Sequence, residues 1–212
     1  MIKIIGDIHG DYSVISKHAS TYDDVTAIIQ VGDFGWHRRA FEYFNEYPLL
    51  RPVYAIDGNH EYFEWIDYEE VTEIVPNLFF VPRGSVLKLD GRRIGLRGGA
   101  ASVDKAYRLS RGIHWDGREN ITSEQFERLA DVTEVDVLIT HCPPQSVIQA
   151  HFNPQNLVDY FGLPITWRDP NADLIQTLWD RLGNPMIYSG HMHKSVIGPN
   201  YRILDIDEAV DM

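Results

Sequence analysis

The sequence predicts an α/β fold with mixed sheets, because short apolar runs rich in β-branched residues alternate with stretches of helical pattern. Strand-like runs cover residues 2–5, 25–31, 52–56, 78–81, 86–89, 94–96, 135–140, 186–188, 195–197 and 201–206. Helix-like stretches cover residues 13–21, 38–47, 123–130 and 172–182. Several of these stretches open with Ser, Asp or Asn, which cap helix N-termini. The alternation predicts helices layered on sheets.

The segment from residue 78 to residue 96 breaks this alternation. Its strand-like runs are separated only by turn-like pieces, at residues 82–84 and 90–91. We therefore expect an antiparallel meander or hairpins here, which would make the sheets mixed rather than purely parallel. Residues 98–120 form the longest stretch without clear periodicity, and loops of this length in a compact domain are usually functional or mobile.

Length and composition predict a single domain over residues 1–212. The chain has a mass of 24.4 kDa, and 44% of its residues are hydrophobic, which is enough to build a sizeable core. No internal repeat, low-complexity tract or long linker divides the sequence. The single cysteine, Cys142, excludes an internal disulfide and fits a reducing cytoplasm.

Charge and hydropathy narrow the range of partners. The formal net charge of -12 argues against extended contact with a nucleic-acid backbone, which Lys and Arg clusters normally hold. The N-terminal apolar run is too short for a signal peptide, and no stretch approaches the roughly 20 apolar residues of a membrane span. We therefore expect a soluble, cytoplasmic protein that has neither a membrane nor an extended nucleic acid as a partner. The sequence does not predict an oligomeric state.

Potential metal ligands recur directly after strand-like runs. They are Asp7, His9, Asp33, Asn59, His60, His141, His191 and His193. Since strand ends converge on one edge of a sheet, we expect these residues to form one site. Taken singly, each fragment has a structural explanation: Gly32-Asp33 alone is typical of a turn, and His141 alone is typical of a buried, hydrogen-bonded histidine. All of them occur in one sequence, each after a strand-like run, and this favours the metal site.

Five motifs in this order resemble the pattern of the calcineurin-like metallophosphoesterases. The motifs are Gly6-Asp7-Ile8-His9, Gly32-Asp33, Gly58-Asn59-His60-Glu61, Thr140-His141 and Gly190-His191-Met192-His193. They extend from residue 6 to residue 193, and residues 98–105 also resemble a loop of small bacterial and phage members. The resemblance implies a four-layer αββα sandwich with mixed sheets and a dinuclear metal site at the strand ends. For a phage-encoded protein, the expected location would be the host cytoplasm.

The resemblance also implies a role for each motif residue. One cation would be bound by Asp7, His9, Asp33 and His193, and a second by Asp33, Asn59, His141 and His191. Asp33 would bridge the pair, and His60 would protonate the leaving group and contact the phosphate. Its ring would need an acidic partner that the sequence does not identify. Mixed nitrogen and oxygen ligands favour Mn, with Fe, Zn or Ni as alternatives, over Mg or Ca.

The expected activity is hydrolysis of a phosphate ester by metal-bound hydroxide. Small phosphodiesters, including 2′,3′-cyclic and 3′,5′-cyclic nucleotides, are favoured because similar small family members accept them. A phosphomonoesterase or nucleotidase is the first alternative. A protein-binding scaffold of the same fold is the second, although every ligand position and His60 are present. A polymer nuclease is disfavoured by the net charge.

The sequence departs from the family pattern after Asp33. Ser/Thr protein phosphatases continue with G-D-x-x-D-R, whereas this chain has Phe-Gly-Trp-His at residues 34–37, which weakens a protein-phosphatase reading. For residues 37–39 the alternatives are a phosphate contact and a solvated helix start, and the second is favoured. For Lys105, Arg108, Arg111 and His114 the alternatives are a positive rim and a solvated loop. For Tyr107, Trp115 and Trp167 they are base stacking and core packing.

Overall fold

Two six-stranded mixed sheets form the centre of the protein. A computed structural model describes residues 1–20, 24–130 and 134–212, without the side chains of residues 129 and 130. The strands are β1 (Ile2–Ile5), β2 (Ala27–Gln30), β3 (Val53–Ala55), β4 (Thr72–Val75), β5 (Leu78–Phe80), β6 (Ser85–Leu89), β7 (Arg92–Arg97), β8 (Val137–Thr140), β9 (Met186–Ser189), β10 (Val196–Ile197), β11 (Tyr201–Ile203) and β12 (Ala209–Asp211). The α-helices are α1 (Tyr12–Ala19), α2 (Arg38–Glu46), α3 (Lys105–Ser110), α4 (Ser123–Ala130), α5 (Gln145–His151), α6 (Gln155–Phe161) and α7 (Pro170–Arg181).

Both sheets have the same internal plan. The first has the order β12-β1-β2-β3-β5-β4 and the second the order β10-β11-β9-β8-β7-β6. In each sheet four inner strands run parallel and each outermost strand is antiparallel to its neighbour. The parallel strands therefore send their carboxyl ends, and the loops that follow, to a common edge.

Side-chain alternation along the strands produces four layers. On β2, Ile28 packs with α1 and α2, whereas the next residue, Ile29, packs between the two sheets. On β8, Ile139 joins that inter-sheet core and Leu138 packs under α4, α5 and α7. Strands buried on both faces are typical of sheets covered on each side. The predicted αββα sandwich with mixed sheets is therefore confirmed.

The structure corrects several element predictions. Residues 78–96 do not form one meander, because β5 pairs with β3 and β4 in the first sheet, while β6 and β7 form a hairpin in the second. Residues 82–84 thus connect two sheets instead of closing a hairpin. Strands β4 and β12 and helices α3, α5 and α6 were not predicted, because they are too short to show a clear period. Thr21, predicted to end the first helix, lies outside the described residues.

The remaining predicted strands and helices exist within a few residues of their expected bounds. Side-chain caps fix two helix starts: Asp11 accepts a hydrogen bond from the Ser13 nitrogen, and Asp169 accepts one from the Asn171 nitrogen. Across the described ranges, no helix has the length and apolar character needed to cross a membrane.

Candidate metal centre

The motif residues lie in the loops that follow five parallel strands. Asp7 and His9 follow β1, Asp33 follows β2, and Asn59 and His60 follow β3. His141 follows β8 in the second sheet, and His191 and His193 follow β9. The site therefore lies where the carboxyl edges of the two sheets meet. The first sheet supplies the carboxylates, the amide and two imidazoles, and the second sheet supplies three imidazoles.

The first group of ligand candidates is Asp7, His9, Asp33 and His193. One ligand atom from each of the four lies within 4.8 Å of all the others. His9 Nε2 is 2.9 Å from His193 Nε2, and His193 Nε2 is 3.3 Å from Asp7 Oδ2. Such close convergence of two imidazoles and two carboxylates suits a divalent transition metal.

The second group shares Asp33 with the first. His141 Nε2 is 3.0 Å from Asn59 Oδ1 and 3.5 Å from Asp33 Oδ1. The ring of His191 lies beside that of His141, with 5.1 Å between centroids. Asp33 thus stands between both groups, as a bridging carboxylate would have to.

Glycines next to the ligands leave space for them. A Cβ on Gly58 would collide with the carboxylate of Asp33, and one on Gly190 would collide with that of Asp7. His9, Asp33, His191 and His193 all adopt positive φ, at 44°, 52°, 69° and 46°. Non-glycine residues rarely adopt this left-handed backbone, and such strain is concentrated at functional sites.

Two carboxylate oxygens fit the expectation of bound cations. Asp7 Oδ1 and Asp33 Oδ2 are buried and have no hydrogen-bond partner in the part of the chain that the structure describes. Both side chains are almost fully buried, at 0% and 1% exposure. A buried carboxylate oxygen without a donor is costly unless a cation neutralises it. The residues present therefore fit two divalent ions.

Burial and neighbouring charges shift the pKa values of three ligand candidates. Burial lowers the pKa of His141, but the carboxylates of Asp33 and Asp7 outweigh it and raise the value to about 10. Burial raises the pKa of Asp33, but His141 lies so close that it ends well below its usual range. Burial, reinforced by His141, lowers the pKa of His191 to about 3, which keeps this imidazole neutral and able to bind a metal.

His60 stands beside both groups. Its backbone nitrogen donates a hydrogen bond of 2.9 Å to Asp33 Oδ1, and its ring meets that of His9 edge-on at 5.3 Å. The His60 side chain lines the same cavity as Asp33 and His191. Within the described ranges no acidic side chain hydrogen-bonds to its ring, so the acidic partner expected from the sequence is not found there.

A buried polar network orients the Asn59 amide. Asn59 Nδ2 donates to Ser102 Oγ at 3.1 Å, and Ser102 Oγ donates to Glu119 Oε2 at 2.5 Å. Arg108 Nη1 donates to the same hydroxyl at 3.1 Å and to the Asn59 carbonyl at 3.3 Å. The network leaves Asn59 Oδ1 facing His141. The sequence assigned no role to either residue: Ser102 lies in the 98–105 loop noted above, and Glu119 belongs to none of the five motifs.

Two further carboxylates support the ligand loops. Glu61 accepts hydrogen bonds from the backbone nitrogens of residues 34–36, at 2.7–3.0 Å, which fixes the chain just after Asp33. Burial and the charge of Asp33 raise the pKa of Glu61 to about 8 despite these donors. The second carboxylate is that of Asp169, whose Oδ2 lies 3.8 Å from His191 Nε2 and accepts a hydrogen bond from buried Cys142.

The open alternatives of the sequence are partly resolved. His37 caps α2 by accepting from the Arg39 nitrogen at 3.0 Å, and Arg38 pairs with Glu42, which agrees with a solvated helix start. Arg108 belongs neither to a rim nor to a solvated loop, since it is only 5% exposed. Loop 98–120 contains α3 and a short 3-10 helix.

The other residues of that loop for which the sequence left alternatives open make different contacts. Lys105 Nζ lies 3.7 Å from the centroid of the Trp115 ring, and the ring of His114 stacks on Tyr62 at 4.3 Å. Tyr107 is 58% exposed and stands beside Arg111. None of these side chains lines the cavity at the metal centre, whereas Trp167 does.

Comparison with known proteins agrees with the motif reading. The profile of the calcineurin-like phosphoesterase family matches residues 1–195, which covers most of the chain and all five motifs. A search of curated proteins gave no match. The chain therefore belongs to the calcineurin-like phosphoesterases, metal-dependent hydrolases that typically bind two divalent cations.

Proposed function

We propose that the protein hydrolyses small phosphodiesters, with nucleotide-type esters favoured, at a centre of two divalent cations. One observation carries the proposal: ligand candidates from distant motifs converge on Asp33, with His141 at 3.5 Å from its Oδ1 and His9 at 3.8 Å from its Oδ2. In the proposed assignment the first cation is held by Asp7, His9, Asp33 and His193, and the second by Asp33, Asn59, His141 and His191.

The bound cations, Asp33 and His60 have different roles in the proposed reaction. When bound, the two cations would supply an activated water and neutralise the charge that develops on the phosphoryl oxygens. Asp33 belongs to both ligand groups and so would fix the distance between the two cations. Its Oδ1 also accepts a hydrogen bond from the backbone nitrogen of His60, which positions that residue. The His60 ring is assigned to phosphate contact and to protonation of the leaving oxygen. Mn is the proposed native metal, with Fe, Zn or Ni as alternatives.

The preference for diesters is supported by charge. Among the described residues that line the cavity, Arg168 is the only Lys or Arg. A phosphomonoester carries up to two negative charges at neutral pH, whereas a diester carries one. A site with few cationic side chains therefore suits the diester, and a phosphomonoesterase or nucleotidase remains the alternative. The presence of every ligand candidate and of His60 disfavours a non-catalytic scaffold.

Turnover of bis-p-nitrophenyl phosphate and of p-nitrophenyl phosphate, measured side by side with Mn added, tests this proposal. We expect faster turnover of the diester. Asp33→Ala should abolish activity, whereas His60→Ala should keep both metals by elemental analysis and lose most turnover. His37→Ala, which alters a helix cap away from the cavity, is the control and should stay active. Metal-loaded protein without activity on either ester would refute the proposal, and loss of both ions in His60→Ala would refute the division of labour.

A further inference from the structure

A large recess opens directly beside the metal centre. It is part of one cavity of about 850 Å³ whose lining also includes the ligand candidates His9, Asp33, Asn59, His191 and His193. Beyond these residues the cavity is lined mainly by α5, α6 and the loop that leads to α7. Its apolar lining includes Ile148, Phe152, Leu157, Trp167 and Met192. A recess of this size is in the range of small-molecule sites and is far larger than a phosphoryl group requires.

Part of the apolar wall is left exposed by the residues that the structure describes. Helix α6 has no buried residue, although it carries Leu157 and Phe161 toward the recess. Phe161 is 43% exposed and Ile165, in the following loop, is 53% exposed. Contiguous exposed apolar surface in a concavity is typical of a ligand site, because a folded chain gains by covering it.

Two polar groups in this recess lack partners. Gln145 is only 9% exposed, yet across residues 1–20, 24–130 and 134–212 nothing hydrogen-bonds to its carboxamide. Asp104 Oδ1 is buried and likewise has no partner in the described chain. Buried Gln30, by contrast, uses both ends of its carboxamide for backbone hydrogen bonds. A buried polar atom is normally satisfied, so Asp104 Oδ1 lacks a donor that a ligand could supply. The Gln145 carboxamide lines the same cavity and has no hydrogen-bond partner among the described residues, so both of its ends are available to a ligand.

We infer that this recess binds the heteroaromatic base of a nucleotide ester whose phosphate lies at the metal centre. The inference rests on the proposed function. A base has apolar faces that suit Trp167, Phe152 and Ile148, and a polar edge. The Gln145 carboxamide offers a donor and an acceptor to that edge, and Asp104 offers an acceptor to a ring or exocyclic N–H. A simple alkyl or acyl chain would leave both groups unsatisfied.

The charged side chains around the recess restrict the class of nucleotide that it can bind. The acidic groups Asp104 and Asp169 border the recess, with Arg168 as the one Lys or Arg among its described lining residues. A second phosphate placed there would meet like charge, which disfavours polyphosphates. The recess therefore selects uncharged bases carried by a single phosphodiester, such as cyclic mononucleotides.

Gln145→Leu is the decisive variant, because leucine has a similar size and removes both hydrogen-bonding ends. We expect kcat/KM for the four 2′,3′-cyclic nucleotides to fall about 10- to 100-fold for the preferred base, the usual effect of leaving a polar edge unpaired. Turnover of bis-p-nitrophenyl phosphate should change less than about 2-fold, because this ester has no such edge. Gln155→Leu is the matched control, since Gln155 is exposed on α6 and pairs with Asp159 outside the recess.

The two proposals fail in different ways. Loss of nucleotide and bis-p-nitrophenyl phosphate turnover by the same factor in Gln145→Leu would overturn base binding and leave the phosphoesterase intact. Improved turnover of a decyl phosphodiester in Gln145→Leu, with unchanged nucleotide turnover, would overturn it in favour of an alkyl group. If wild-type protein is inactive on every ester, base binding can still be tested by the quenching of Trp167 fluorescence by adenosine, guanosine, cytidine or uridine. Quenching lost in Trp167→Leu supports the site, and its absence for all four nucleosides in wild-type protein overturns it.

Discussion

The hydroxyl of Ser102 is expected to control occupancy of the second metal position. It accepts the only hydrogen bond that the side-chain nitrogen of Asn59 donates within the described chain, at 3.1 Å, and it donates a hydrogen bond to Glu119 Oε2. Ser102 is 6% exposed, so water has little access to replace it. In Ser102→Ala the Asn59 amide would be free to rotate, and its oxygen would no longer be held toward His141.

The size of the effect follows from this geometry. A buried donor left without an acceptor costs about 1–3 kcal/mol. If the full cost falls on the metal-bound form, affinity at the second position drops by about 5- to 150-fold, since about 1.4 kcal/mol corresponds to a factor of ten. A drop of about 10- to 100-fold is typical when an outer-shell partner of a metal ligand is removed. Affinity at the position of Asp7, His9 and His193 should stay within about 2-fold.

Competition with a chromogenic chelator measures the two affinities separately, and Mn electron paramagnetic resonance reports whether a coupled pair forms. We expect Ser102→Ala to bind one Mn tightly and the second weakly. Ser102→Thr keeps the hydroxyl and should recover part of the loss. Ser110→Ala removes an exposed hydroxyl from the same segment and should match wild type. Two unchanged affinities in Ser102→Ala would refute the positioning role.

Three further predictions concern stability and packing. Arg83→Met should lower the free energy of unfolding by about 3–5 kcal/mol in urea, because it leaves the carboxylate of Asp57 buried and unpaired. Gly58→Ala should lose metal binding, measured by elemental analysis, because the new Cβ collides with Asp33. Metal-free protein should have a lower urea midpoint at pH 9.5 than at pH 7. The raised pKa of His141, about 10, gives stability that is complete below its unfolded value of 6.5 and is lost as pH rises through 10.

Each of these predictions has a control. Arg93→Met removes an arginine whose pairing with Glu134 is exposed, and should cost less than about 1 kcal/mol. Gly91→Ala has no atom within 4 Å of its new Cβ, so it should keep both metals at some cost in backbone strain. A urea midpoint of metal-free protein that rises between pH 7 and pH 9.5 would contradict the assignment for His141.

The convergence of the ligand candidates was predictable, because the sequence signal of each candidate is local. Each candidate ligand directly follows a strand, and the parallel arrangement of β1, β2 and β3, like that of β8 and β9, makes such positions meet. The glycines of the motifs are explained only by the structure. Gly58 and Gly190 are needed because a carboxylate from another loop occupies the space of a Cβ.

The supporting residues were not predictable for the opposite reason. Ser102 and Glu119 reach Asn59 from 43 and more residues away, and no pattern marks a serine whose role depends on a remote amide. Helices α5 and α6 have seven residues each, which is two turns and too few to establish a helical period. Arg108 reads as a surface arginine in the sequence, and only its burial shows that it belongs to the interior.

Chemistry and selectivity therefore come from different parts of the chain. In the proposed function, the strand ends supply ligands whose types and spacing two cations would require, which leaves this part of the chain little freedom for substrate choice. The recess is built mainly by residues 145–169, which contain no metal-ligand candidate of the five motifs. Substitutions there, at Gln145 above all, should change which ester is hydrolysed while the metal content stays constant. A change of metal content in such variants would mean that the recess and the centre are not separable.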